Sequence, residues 1–255
     1  MTHWIRFAEN GVPGFGQLDG ATVDVYSGDM FDSPQPTGRT VALAAVTLLV
    51  PAAAGKMVAL WNNFHALAAK LGNPVPAEPL YFIKGNGSYL ASGEPIRRPP
   101  SYGGKVIFEG ELGIVIGRTC RAVSEADASA HIFGYTCVND VTAVDLLNKD
   151  ATFAQWTRAK SFDTFGVFGP VVATGLDPAS LTVRTLVNGR ERQNYRVDDM
   201  IFAPAELVSR ISQDMTLVPG DVIACGTSLG VLPMKPGTVI EVVIEGIGTL
   251  RNPYG

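Results

Sequence analysis

V-I-F-E-G-E-L-G-I-V-I-G-R, residues Val106 to Arg118, is the stretch on which the fold of this chain turns. Val, Ile and Phe are dense and no Pro interrupts them, so the stretch predicts a β-strand. Successive side chains of a strand point to opposite faces. Phe108, Leu112, Ile114 and Ile116 therefore face a core, while Glu109 and Glu111 share the other face. Two such residues stand roughly 7 Å apart along a strand. Gly110 between them leaves room for a close approach to the backbone. Two carboxylates this close in an interior need a shared positive charge, and one divalent cation supplies it. Taken alone, the stretch reads equally well as an exposed face with two solvated acids.

The composition narrows the setting. A chain of 255 residues can bury a large core, as one domain or as one plus a small one. Charged residues are 17%, below the usual share of about a quarter, and apolar residues are 46%. That balance belongs to a compact globular protein. A net charge of −4 argues against a nucleic-acid surface. The three cysteines, Cys120, Cys137 and Cys225, lie in apolar runs without a C-x-x-C pair. Reduced, buried thiols and a cytoplasmic location are expected. The N-terminus, M-T-H-W-I-R-F, lacks the apolar core of a leader peptide. The most apolar run, Val41 to Ala54, contains Pro51 and is too short to cross a bilayer, so no membrane partner is expected.

Residues 1–52 read as a small N-terminal β unit, with strands at Trp4–Phe7 and Thr22–Tyr26 and Gly-rich turns. Residues 53–255 form the main body. Lys56 to Asn63 is a buried strand, Phe64 to Leu71 a short helix closed by Gly72, and 73–105 a long ordered loop with a strand at Leu80–Lys84. Ser124 caps a short helix, Gly134–Asn139 is a strand running into Asp140, and 141–159 is mixed or helical. Asn188-Gly189 joins two strands through a type I′ turn. Pro204–Ile211 is a helix with one apolar face. The fold class is α+β, mostly β.

Several segments together resemble the fumarylacetoacetate hydrolase superfamily, in particular its bacterial 2-hydroxyhepta-2,4-diene-1,7-dioate isomerase and acylpyruvase-like branch. They are F-E-G-E-L-G-I-V-I-G-R at 108–118, G-Y-T-C-V-N-D-V-T-A at 134–143 and K-S-F-D-T-F-G-V-F-G-P at 160–170, then M-T-L-V-P-G-D-V-I-A-C-G-T-S-L-G-V at 215–231 and I-E-G-I-G-T-L-R-N at 244–252. The resemblance implies a mixed β-roll catalytic domain, usually homodimeric, that uses Mg²⁺ or Mn²⁺ on 2-oxo or 1,3-dioxo acids. It also implies that Glu109, Glu111 and Asp140 hold the metal, and three carboxylates without a nearby His or Cys do suit a hard, oxygen-loving cation. Lys160 matches the family's active-site Lys, whose charge can stabilise an enolate oxygen. The Gly226-Thr227 turn matches the place where the family holds the substrate carboxylate. Asp145 and Asp163 match positions read as structural.

The chain also departs from that pattern. Hydrolases and decarboxylases of the family carry N-Y-x-x-H-x-x-E on a lid helix, where His and Glu activate water. Here Leu67 stands at the His position and Lys70 at the Glu position. His65, two residues early and about 200° round the helix, is the remaining candidate for acid–base work. Many relatives carry R-D-x-Q after the metal Asp, and here those positions are Val144 and Leu147. A less acidic, more apolar substrate is expected. The function expected is proton shuttling through a metal-stabilised enolate, as an isomerase or tautomerase acting on a small catabolic oxo acid, such as aromatic breakdown yields. A C–C hydrolase or decarboxylase is the alternative, and a metal-binding homologue without turnover the second class.

Overall fold

The computed structural model describes all 255 residues. Its centre is a 12-stranded sheet. The order across it is Asp32–Ala42, Thr22–Asp29, Val12–Asp19 and Thr2–Glu9, then Gly166–Thr174, Ile132–Asp140, Gly110–Ile116, Val222–Ala224, Met57–Trp61 and Leu80–Lys84. Pairing along this order is antiparallel except between Val222–Ala224 and Met57–Trp61. A second sheet of four strands runs Arg190–Arg196, Thr182–Val187, Thr238–Ile244 and Gly248–Tyr254. Asn188 and Gly189 join the first two with φ of 50° and 73°, the left-handed pair that a type I′ turn requires.

Alternation along the strands sorts the core. Leu112, Ile114 and Ile116 enter the larger cluster, with Val183, Ile240, Val242 and Leu250 of the second sheet. Val115, on the opposite face, joins Met57, Ala59, Phe82, Val138 and Phe168 in a smaller one. The mostly β, α+β architecture expected from the sequence is present. The helices are short: α1 His65–Leu71, α2 Glu125–Ala128, α3 Trp156–Lys160 and α4 Pro204–Asp214. Gly72 closes α1 in the left-handed conformation, and the Ser124 hydroxyl caps α2 by accepting from the Asp127 N–H. Leu207, Val208 and Ile211 bury one face of α4.

The N-terminal strands extend the main sheet, because Thr2–Trp4 pair with Val172–Thr174. One feature differs from expectation. The stretch 106–118 is not one strand. Val106–Ile107 pairs with Thr142–Ala143 in a two-stranded sheet, and Gly110–Ile116 belongs to the large one. Phe108 and Glu109 make the crossing between the two. Their backbone is satisfied there: the Glu109 N–H donates to Asn139 Oδ1 at 3.0 Å, and the Glu109 carbonyl accepts from the Asp140 N–H at 2.9 Å. The break moves Glu109 off the regular pleat and toward its neighbours.

Candidate active site

Three segments converge below the break. Glu109 comes from the crossing, Glu111 from the strand Gly110–Ile116, and Asp140 from the end of Ile132–Asp140. One carboxylate oxygen from each lies within 4.8 Å of the others, and all three residues are buried. Strand register explains the approach: Glu111 stands opposite Val138, so Asp140, two residues on, shares its face.

Gly110 is the pivot. Its N–H donates to Gln193 Oε1 at 3.0 Å, and its carbonyl accepts from the Thr227 hydroxyl at 2.9 Å and from the Tyr195 hydroxyl. A Cβ here would sit 2.0 Å from Thr185 Oγ1, so only glycine admits the second sheet this close.

Two buried lysines face the acids. Lys160, the last residue of α3, lies 2.6 Å from Asp140 Oδ2 and 3.0 Å from Glu109 Oε1. Lys84 bonds Asp140 Oδ1 from the other side and is wholly buried. Burial pulls the Lys160 ammonium down, but Asp140, Glu109 and Glu111 outweigh it and its pKa stands above the ordinary value. For Lys84 burial prevails over Asp140, and its pKa is lowered. Burial also pushes Asp140 up, yet the two lysines hold it below the carboxylate range. Glu109 is raised by burial despite Lys160. Glu111 is raised furthest, by burial and then by Asp140 and Glu109.

Glu111 is thus the acid that lacks a cation. Its Oε2 accepts from the Gly226 N–H at 2.8 Å, while its buried Oε1 has no hydrogen-bond partner. A buried carboxylate oxygen without a partner is costly. A divalent cation among the three acids would satisfy it, and an all-oxygen donor set suits Mg²⁺ or Mn²⁺.

The other candidates fall around this centre. Gly226 is buried with φ of 90°, and its N–H, read from the sequence as a donor to substrate, is directed to Glu111 instead. The Thr227 hydroxyl is likewise engaged, donating to Gly110 and accepting from Gln193 Nε2 at 2.8 Å. His65 opens α1 and is exposed, and it makes no hydrogen bond to the three acids. The same helix is tied to the site through Asn63, whose Nδ2 donates to the Cys225 carbonyl at 2.9 Å. Val144 and Leu147 are half-buried in the loop ahead of α3. Asp145 is structural in its contacts, accepting from the Lys105 N–H and the Tyr102 hydroxyl.

Four contributors were missed by sequence reasoning: Lys84, Gln193, Tyr195 and Thr142, whose hydroxyl donates to Glu109 Oε1 at 2.7 Å. For Lys84 a signal existed. L-Y-F-I-K alternates, so Lys84 shares its face with the core residue Phe82.

Comparison with known proteins agrees with this architecture. The model of the fumarylacetoacetate hydrolase C-terminal family matches residues 56–254, and that of an Rv2993c-like N-terminal family matches 2–51. The crystal structure of 2-hydroxyhepta-2,4-diene-1,7-dioate isomerase from Mycobacterium marinum is 41% identical, with a TM-score of 0.91 over 100% of this chain and 98% of that one. An oxaloacetate tautomerase, YisK of Bacillus subtilis, is 35% identical over 81% of this chain and 71% of its own length. Fumarylpyruvate hydrolase from Pseudomonas aeruginosa, solved with Mn²⁺ and pyruvate, is 27% identical with a TM-score of 0.73, covering 80% of this chain and 90% of that one. With these matches spanning nearly its whole length, the chain belongs to the fumarylacetoacetate hydrolase family.

Proposed function

We propose that the chain is a divalent-metal-dependent enzyme acting on a small 2-oxo or 1,3-dioxo carboxylate, and that it moves a proton between carbon and oxygen as an isomerase or tautomerase. The observation that carries this is the buried group Glu109, Glu111 and Asp140, with Glu111 Oε1 unpartnered, beside the Lys160 ammonium. Mg²⁺ or Mn²⁺ held by the three acids supplies a Lewis acid for the oxygens of the substrate head.

The residues of the chain do the rest. Lys160 Nζ, fixed by Asp140 and Glu109, donates toward the oxygen on which charge develops. Its burial removes the water that would screen that charge. The Gly226-Thr227 turn borders the substrate head and orients Glu111, the Gly226 N–H donating to its Oε2. His65, exposed at the start of α1, is the group that can exchange a proton with solvent. Leu67 and Lys70 stand where relatives place their water-activating pair, which favours proton transfer over water attack. The names of the M. marinum isomerase and the B. subtilis tautomerase describe that chemistry for those proteins. The P. aeruginosa hydrolase supports C–C cleavage as the second reading. A cytoplasmic location accords with three free, buried cysteines, and a homodimer with the family resemblance.

The test is a panel of 2-oxo and 2,4-dioxo acids incubated with the Mg²⁺- or Mn²⁺-loaded protein and followed by proton NMR. Migration of a double bond, C–C cleavage and loss of CO₂ give separate signals. Cleavage products alone would replace the isomerase reading with the hydrolase one. Intact Mn²⁺ binding without turnover of any acid would leave a metal-binding homologue.

A further inference from the structure

Beside Lys160 the charged floor gives way to aromatic rings. Phe82 and Lys84 lie two apart on one strand and so share a face. Trp61 stands opposite Leu80 on the adjacent strand, on that same face. Trp156 opens α3 one turn before Lys160, so the two project from one side of the helix. Trp156 stacks on Phe82 with centroids 5.2 Å apart and meets Trp61 at 5.5 Å. With Pro79, Leu80 and Tyr81 these three rings line a cavity of about 400 Å³. That is within the span of small-molecule sites, roughly 300–1,000 Å³.

One ammonium stands between a ring of the cavity lining and the acids. Lys160 Nζ lies 5.2 Å from the Phe82 ring centroid and 2.6 Å from Asp140. None of the six lining residues carries a charge. The Gln155 N–H, bonded to the Leu147 carbonyl at 2.9 Å, ties the loop of Val144 and Leu147 to the start of α3.

We infer that this cavity holds the far end of the substrate and that this end is a flat apolar group, above all an aromatic ring, given an oxo-acid head at the carboxylate group as proposed for this chain. A ring entering it leaves water and meets Trp156, Phe82 and Trp61 in the offset and edge-on contacts that aromatic pairs favour. A second carboxylate entering it would be desolvated among six uncharged residues, with no charge in the lining to pair it. Trp61, Phe82 and Trp156 are therefore specificity-determining residues.

The experiment compares 2-oxo-4-phenylbutanoate with 2-oxobutanoate, which share the head and differ in the ring. Both are titrated into the Mg²⁺-loaded protein by calorimetry, with tryptophan fluorescence as a second readout. The phenyl acid is expected to bind roughly ten- to a hundredfold more tightly, the effect of burying a ring, and to change the emission of Trp61 and Trp156. Trp156→Ala should bring the ratio of the two dissociation constants near unity, and Trp156→Phe should restore part of it. Trp61→Ala should act in the same direction, and Mn²⁺ affinity reports whether each variant keeps its floor intact. Equal affinity of the parent for the two acids would overturn the cavity assignment while leaving the oxo-acid function standing. A parent that binds Mn²⁺ and neither acid would overturn both.

Discussion

The acid floor and the aromatic wall beside it are built on opposite terms. The floor carries five buried charges, three acids and two lysines, drawn from five segments and fixed by hydrogen bonds of 2.6–3.0 Å. The wall carries two half-buried tryptophans and the buried Phe82, held by packing alone. In the floor, removing one member strands its partners in a low-dielectric interior, so effects are large and coupled. In the wall each ring contributes area, so effects are modest and graded. Chemistry of one type can thus be kept while the substrate tail is exchanged.

That contrast can be broken at several points. Glu111→Ala carries the largest expected effect: calorimetry should find no measurable Mn²⁺ binding, while circular dichroism shows the native fold. A variant that binds Mn²⁺ as tightly as the parent would remove Glu111 from the metal site. Lys160→Met should lower kcat by about a hundred- to a thousandfold, the effect of a lost donor at a developing oxyanion. Its Mn²⁺ affinity should not fall, since the acids lose a competing cation. A fall in metal binding equal to the fall in rate would make Lys160 a structural member of the floor. At the rim, His65→Ala should reduce turnover about a hundredfold, as loss of a general acid or base does. An unchanged rate and pH profile would leave the proton to Lys160. The smallest effect belongs to the wall side. Val144→Arg with Leu147→Gln should raise kcat/KM for oxaloacetate about tenfold, the worth of one charge-assisted hydrogen bond. Oxaloacetate as the best substrate of the unaltered protein would show that another cation already grips its second carboxylate.

Legibility in the sequence followed the distance over which each contact is made. Glu109 and Glu111 lie two residues apart, and Asp140 ends an apolar run, so their meeting could be anticipated from local pattern and family resemblance. The hairpin at Asn188-Gly189, the Ser124 cap and the apolar face of α4 were legible for the same reason. For Lys84 the alternation of L-Y-F-I-K marked the face but not the partner, because Asp140 is 56 residues away. The pairing of Met57–Trp61 with Leu80–Lys84 then sets that face against the body of the molecule. Gln193 and Tyr195 read as members of an exposed hairpin until the second sheet packs on Gly110. The break at Phe108–Glu109 is hidden because an apolar run looks the same whether it stays in one sheet or crosses between two. The aromatic wall draws on positions 61, 82 and 156, which no window of sequence brings together.

The attachment of Thr2–Glu9 to Gly166–Thr174 bears on how the main sheet avoids pairing with strands of other chains. Without the first four strands, the open margin of the main sheet would be V-F-G-P-V-V-A-T, an apolar strand with bare amides and carbonyls, the kind of margin that recruits other chains. The N-terminal strands carry that margin outward to Asp32–Ala42. There Pro34 and Pro36 remove donors, Arg39 and Asp32 add charge, and two register shifts against Thr22–Asp29 bend the ribbon away from flat pairing. A segment remote from the chemistry therefore guards the catalytic sheet against edge-to-edge aggregation.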